Sequence, residues 1–211
     1  MDLQAAVDGQ PVRPFEGIVY RVYNPTYGFF ETIGSYLNGG RWNLRGFPNI
    51  SEIGQVVGQG VRYFDSQNFA LAREKFLEAI EQLQSPRKGF GALYTSLQEN
   101  IAVEEARRQF RKRNLSPEGA GPRTAVQIRV RLTRAIDLSS LRFYADIGKQ
   151  SANVLGDDVL CLKIADQVRQ LDCEAVVVPS VIPEGINLVL YLDKLRPGWM
   201  FEEVYRQSIT L

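Results

Sequence analysis

Hydrophobic and polar positions alternate over two stretches of this chain and recur at helical spacing over others. Gly17-Ile18-Val19-Tyr20-Arg21-Val22-Tyr23 alternates and is rich in β-branched and aromatic side chains, which predicts a strand ended by Asn24-Pro25. Val126-Gln127-Ile128-Arg129-Val130-Arg131-Leu132 alternates strictly, so one face should be buried and Arg129 and Arg131 should point to the other. Phe64, Leu71, Phe76, Leu77, Ile80 and Leu83 fall close to one face at helical spacing, predicting a helix over 61–83 that Ser85-Pro86-Arg87-Lys88-Gly89 stops. Further helices are expected from about Asn100 to Lys112 and over roughly 158–171. Gly91 to Ser96 reads as a short strand. Ala175-Val176-Val177-Val178-Pro179-Ser180 is a continuous apolar run, hence a central strand covered on both faces, and Leu188 to Leu192 is another strand.

The segments between these are punctuated by glycine and proline. Residues 1–14 are polar with Pro11 and Pro14 and read as a loose lead-in. Residues 27–46 hold five glycines among aromatics, the pattern of an irregular loop shaped for function. A further loop is expected over 114–122 and a turn over Asp137 to Leu141. The result is a mixed α and β protein with several short strands around a core.

Composition narrows the chemistry. The length of 211 residues suits one domain, with 45% apolar residues available for a core. Lys+Arg is 25 and Asp+Glu is 24, so there is no basic excess of the kind expected of a protein that binds nucleic acid directly. There are 0 histidines, which removes every Ser-His or Cys-His nucleophile pair and every His-containing metal site. Cys161 and Cys173 lack zinc-ligand spacing and are expected as buried reduced thiols. Neither a metal nor a bound cofactor is implied. The first ten residues carry Asp2 and Asp8 without an apolar run, and no stretch of eighteen apolar residues occurs, so a cytoplasmic location without a membrane span is expected.

Several side chains remain as candidates for chemistry. Arg21 and Arg41 each offer a planar fork of donors that pairs with phosphate and keeps its charge, and Gly39-Gly40 would let backbone N–H groups approach the same oxygens. Either arginine would serve equally in a structural ion pair. Trp42 could stack on a base or plug the core; Asn43 could be a turn residue. Tyr94 closes a strand, and Glu105 lies eleven residues after it in the next helix. A carboxylate facing an anomeric carbon stabilises an oxocarbenium-like transition state, while a tyrosine ring can cover a planar leaving group. Glu104 points about 100° away around the helix, so only one of the two can serve. Ser180 has no histidine to activate it and is assigned hydrogen bonding rather than nucleophilic attack. Asn187 suits either ligand contact or a turn.

Tyr20-Arg21, Gly39-Gly40-Arg41-Trp42-Asn43, Tyr94-Thr95-Ser96 with Glu105, and Val177-Val178-Pro179-Ser180 followed by Asn187 resemble, in this order, the RES domain family. Tyr191 to Gly198 looks like its closing segment, so the resemblance runs from about 17 to 198. It implies an α+β fold similar to ADP-ribosyltransferase toxins: a mixed β core with flanking helices. It also implies an NAD-consuming toxin of a bacterial toxin–antitoxin pair, a glycohydrolase or phosphorylase, with NAD as substrate and a cognate antitoxin of the Xre type as partner. By this resemblance Arg21 and Arg41 bind the NAD phosphates, Tyr94 packs on the nicotinamide side, Glu105 is the catalytic carboxylate assisted by Arg21, and Ser180 contacts the ligand, with Asn187 beside it. The chain departs from the family over about 47–89, read as an inserted helical arm beside the active site. That arm motivates one alternative, ADP-ribosylation of a protein acceptor; a second is a non-catalytic module that binds a nucleotide or a protein.

Overall fold

A computed structural model describes residues 2–26, 28–30, 32, 35, 40–43, 50–84, 90–112, 114–117, 119, 121–149 and 155–211. The longest elements are two strands that pair with each other, β1 (Val12–Tyr23) and β3 (Arg123–Asp137). They run antiparallel from Val12↔Ile136 to Tyr23↔Thr124, with a register shift between Arg13 and Phe15. Pro14 sits at that shift, where its missing N–H costs no ladder bond. The expected loose lead-in is therefore structured. A short helix α1 (Leu3–Asp8) buries Ala6 and Val7, and the strand begins at Val12, five residues before the alternating pattern announces it.

Four further strands complete the sheet: β2 (Leu93–Ser96), β4 (Ala175–Pro179), β5 (Ile186–Leu190) and β6 (Met200–Ile209), in the order β1-β2-β5-β4-β3-β6. Among the described pairings only β3–β4 is parallel. Because β1 meets both β2, through Tyr20↔Ser96, and β3, the ladder β1-β2-β5-β4-β3 curls back on itself. One face of the curl packs Val19, Leu93, Val126, Ile128, Val130, Leu132, Leu188 and Leu190 together. The other is covered by α5 (Leu141–Asp146) and α6 (Asp158–Gln170), with α1 packed on α6. Cys161, Ile164, Ala165 and Val168 of α6 recur on one stripe at helical spacing and are fully buried. As expected, β4 is central and buried on both faces, Arg129 and Arg131 are exposed in ion pairs with Glu202 and Glu16, and both cysteines are buried and form no disulfide.

The helix expected over 61–83 is two helices, α2 (Ile50–Asp65) and α3 (Phe69–Gln84). The break has a local cause. Gln67 takes φ 60°, and Asn68 N donates back to Tyr63 O at 2.8 Å, a left-handed cap closing α2. Asn68 Oδ1 then accepts from Leu71 N at 3.4 Å and opens α3. The predicted apolar face is only partly used: Leu71 and Leu77 are exposed, as are Val61 and Phe69. The side chains of Phe64, Ile80 and Leu83 lie outside the described residues. The helix α4 (Glu99–Lys112) follows β2 as expected. Helix α5 and strand β6 had no signal in the sequence pattern.

One buried carboxylate ties the curl together. Glu174 is fully buried just before β4, and its Oε2 accepts from Thr133 N, Thr133 Oγ1 and Arg134 N at 2.6, 2.9 and 2.7 Å. Its Oε1 accepts from Arg196 N at 2.7 Å. Burial alone would raise the carboxyl, yet the donors from Arg196, Arg134 and Thr133 outweigh it and hold Glu174 below its ordinary value.

Candidate active site

Glu105 meets its partners through packing of α4 against the turn between β4 and β5. Ile101, one helical turn earlier, is buried. That turn closes tightly, with Ser180 N donating to Gly185 O at 2.8 Å and Gly185 N to Ile182 O at 3.0 Å. A Cβ on Gly185 would lie 2.7 Å from Ile101 Cγ2 and 2.8 Å from Ser180 Cβ, so only glycine permits this approach of turn to helix. The approach has a direct product. Ser180 Oγ donates to Glu105 Oε1 at 2.5 Å, and Asn187 Nδ2 donates to the same oxygen at 3.1 Å. Gly185→Ala should therefore push Ser180 away from Glu105, lowering Tm by several degrees and lowering any Glu105-dependent turnover with it. Thermal melts and activity assays on the same preparation check this.

Helical geometry separates Glu105 from its neighbour as anticipated. Glu104 is committed to Arg107 at 2.5 Å and Arg111 at 3.9 Å. Glu105 is held by two neutral donors instead, and both act on one oxygen.

Strand register places Tyr94 in the same row system. Ser96 pairs with both Tyr20 and Asn187, and Tyr94 pairs with Val189. Residues two apart share a face, so Tyr94 and Ser96 lie on the face of Asn187, one side-chain spacing of about 7 Å apart. Arg21 pairs with Val126, and alternation sets it on the opposite face, that of Val19. The structure thus unites Glu105, Ser180 and Asn187, puts Tyr94 beside them, and leaves Arg21 next to the row but on its other side.

The Tyr94 hydroxyl is occupied. It donates to Asn43 Oδ1 at 2.7 Å and accepts from Trp42 N at 3.0 Å. Burial pushes its pKa far up, against the opposing pull of the Trp42 N–H and the Arg41 charge. Asn43, which the sequence left as a turn residue, is buried, and Gly40 N donates to its carbonyl at 3.1 Å. Its Nδ2 donates to Ser35 O and Phe90 O at 2.8 and 3.1 Å. Trp42 is the core plug, with 2% of its surface exposed. Gly40 is required by contact: a Cβ there would sit 2.3 Å from the Tyr94 hydroxyl. Gly39 lies outside the described residues. From this turn Arg41 reaches the start of α6, where its Nε lies 3.5 Å from Asp158 Oδ1.

Among the described residues no group of three or more Cys, Asp or Glu side chains is arranged to hold a metal, and no helix is long and apolar enough to cross a membrane. Chemically, the site offers a carboxylate oriented by two neutral donors, with the Tyr94 row alongside. Such a group suits a reacting centre that becomes positive.

Comparison with known proteins agrees with the sequence motifs. Residues 18–198 match the RES domain profile. No curated protein matches the chain. Among solved structures, a chain of the M. tuberculosis MbcT-MbcA toxin-antitoxin complex superposes with a TM-score of 0.67 at 16% identity, covering 99% of this chain and 92% of that one. The fold is accordingly α+β, a mixed β core with flanking helices as expected.

Proposed function

The chain belongs to the RES domain family, and from that membership we propose that it consumes NAD as the toxin of a toxin–antitoxin pair. The reaction breaks the bond between the nicotinamide nitrogen and the ribose anomeric carbon. Water or phosphate supplies the new bond to that carbon, nicotinamide leaves with the bonding electron pair, and the acceptor's proton passes to solvent. The observation that carries this reading is the double donation from Ser180 and Asn187 to one oxygen of Glu105.

Two donors on Oε1 fix the plane of the carboxylate and leave Oε2 to face the ribose as positive charge develops there. Preorganisation of this kind costs nothing at the moment of reaction, because the carboxylate is already oriented. Arg41 takes the pyrophosphate beside the start of α6. Arg21, on the other face of β1, flanks the seam where β1 and β2 share the Tyr20↔Ser96 pairing. The partner is an antitoxin that covers this site; the toxin-antitoxin complex containing the similar structure supports that expectation.

Incubating the purified chain with NAD, with and without phosphate, tests the reading. ADP-ribose with free nicotinamide identifies a glycohydrolase, a phosphorylated ADP-ribose identifies a phosphorylase, and intact NAD under both conditions refutes the proposal. A protein acceptor is a second reading, favoured by Val61, Phe69, Leu71 and Leu77 exposed on the α2–α3 hairpin. Deleting residues 50–84 should then abolish labelling of a target protein while NAD hydrolysis continues. Labelling that survives the deletion removes the hairpin from acceptor recognition.

A further inference from the structure

The resemblance alone gives Tyr94 a ring-packing role, but its hydroxyl is engaged elsewhere. The Gly40–Asn43 turn is closed by Gly40 N donating to Asn43 O at 3.1 Å and by a longer return bond of 3.4 Å. Such a turn is weakly held by its own backbone. Its two residues after Arg41 are both gripped by one side chain: Tyr94 accepts from Trp42 N and donates to Asn43 Oδ1. Asn43 in turn is fastened to Ser35 O and Phe90 O, and the Tyr191 hydroxyl donates to Trp42 O at 3.4 Å. Among the described residues the anchors of the turn thus fall on Trp42 and Asn43, and Arg41 is the side chain those anchors leave directed at α6.

We propose that Tyr94 and Asn43 are positioning residues acting through Arg41: their side-chain hydrogen bond latches the Gly40–Asn43 turn and holds the guanidinium beside the start of α6 for a pyrophosphate-bearing ligand. This rests on the reading of Arg41 as a phosphate contact. A hydroxyl whose proton is committed to Asn43 is not offered to the ligand, and burial keeps that proton in place. Tyr94 therefore contributes to binding by fixing a neighbour, and its contribution belongs to the oxygen more than to the ring.

The test is a double-mutant cycle on the full chain with Tyr94→Phe, Arg41→Ala and the pair. Tyr94→Phe keeps the ring and removes the latch. It should raise KM for NAD about tenfold, equivalent to roughly 1.4 kcal/mol, with kcat nearly unchanged because the Glu105 contacts are untouched. Arg41→Ala should raise KM at least as far, and the double variant should be no worse than Arg41→Ala alone. An unchanged KM in Tyr94→Phe, or effects that multiply in the double variant, overturns the latch. Should Tyr94→Phe fail to unfold cooperatively, Asn43→Ser releases the turn from its other end, together with its bonds to Ser35 O and Phe90 O, and the same failure to compound with Arg41→Ala is expected. If the wild-type chain leaves NAD intact, the proposed activity fails separately, and the cycle is read by calorimetry with inorganic pyrophosphate. Weaker binding by Tyr94→Phe that does not compound with Arg41→Ala sustains the latch. Equal binding by wild type and Tyr94→Phe, or no binding by wild type, overturns it.

Discussion

Glu105→Gln is expected to lower NAD consumption by about 10²–10³-fold, the loss typical of removing one preorganised stabiliser of transition-state charge. The substitution is nearly isosteric. The Gln side-chain oxygen can still accept from Ser180 Oγ and Asn187 Nδ2, so the packing of α4 against the β4–β5 turn should survive. KM should move little, because the carboxylate contributes where charge develops and little in the ground state. Steady-state kinetics with a thermal melt on the same sample checks both halves. A Glu105→Gln chain that consumes NAD at the wild-type rate would remove Glu105 from the mechanism. Glu104→Gln is the matched control: its carboxylate is held by Arg107 and Arg111, and the change should leave turnover intact.

The largest effect on stability is expected at Glu174. Its carboxylate gathers four donors, three from Thr133 and Arg134 of β3 and one from Arg196 after β5, all in a fully buried position. Glu174→Gln removes the charge and turns an amide NH2 toward some of those donors, so N–H meets N–H inside the protein. The cost should be about 3–5 kcal/mol, from hydrogen bonds to a charged acceptor lost and a buried donor left without an acceptor. For a chain of this size that lowers Tm by roughly 10 °C. The pH dependence has a definite sign. Because the folded-state value is held below the ordinary 4.5, this carboxylate's contribution is fully present above about that pH and is lost as pH falls through the folded value. Denaturant titrations from pH 7 downward should show wild type losing stability on the acid side more steeply than Glu174→Gln. Parallel acid limbs would mean that Glu174 does not couple folding to protons.

How much of this was legible beforehand depended on the range of the interactions. The alternation at 126–132 and the apolar run at 175–180 located β3 and β4, since each reports which face of a strand meets water. The α2–α3 hairpin was read as one helix because Gln67 and Asn68 carry no strong breaker signal; the left-handed turn at Gln67 shows only in the backbone. Strand β6 was missed because it lies at the sheet edge, where Val204 and Tyr205 stay exposed and no buried face imposes a pattern. Asn43 was discounted for a similar reason. A lone asparagine in a glycine-rich loop looks like turn chemistry until a tyrosine 51 positions away is found bonded to it.

The sequence by itself determined the order of the motifs, the central apolar strand, the divergence of Glu104 and Glu105 around their helix, and the exclusion of histidine-dependent chemistry. These follow from side-chain type and from spacing within one element, which the backbone geometry of a helix or strand converts directly into direction. Only the tertiary structure decided that Ser180 and Asn187 share one oxygen of Glu105, that Arg21 lies across β1 from that row, and that Tyr94 spends its hydroxyl on the Arg41 turn. Those relations join residues 51 to 82 positions apart, or turn on strand register, and come from how the sheet curls and how closely Gly185 lets a turn approach α4. No local pattern encodes them, because each depends on packing between elements distant in the chain.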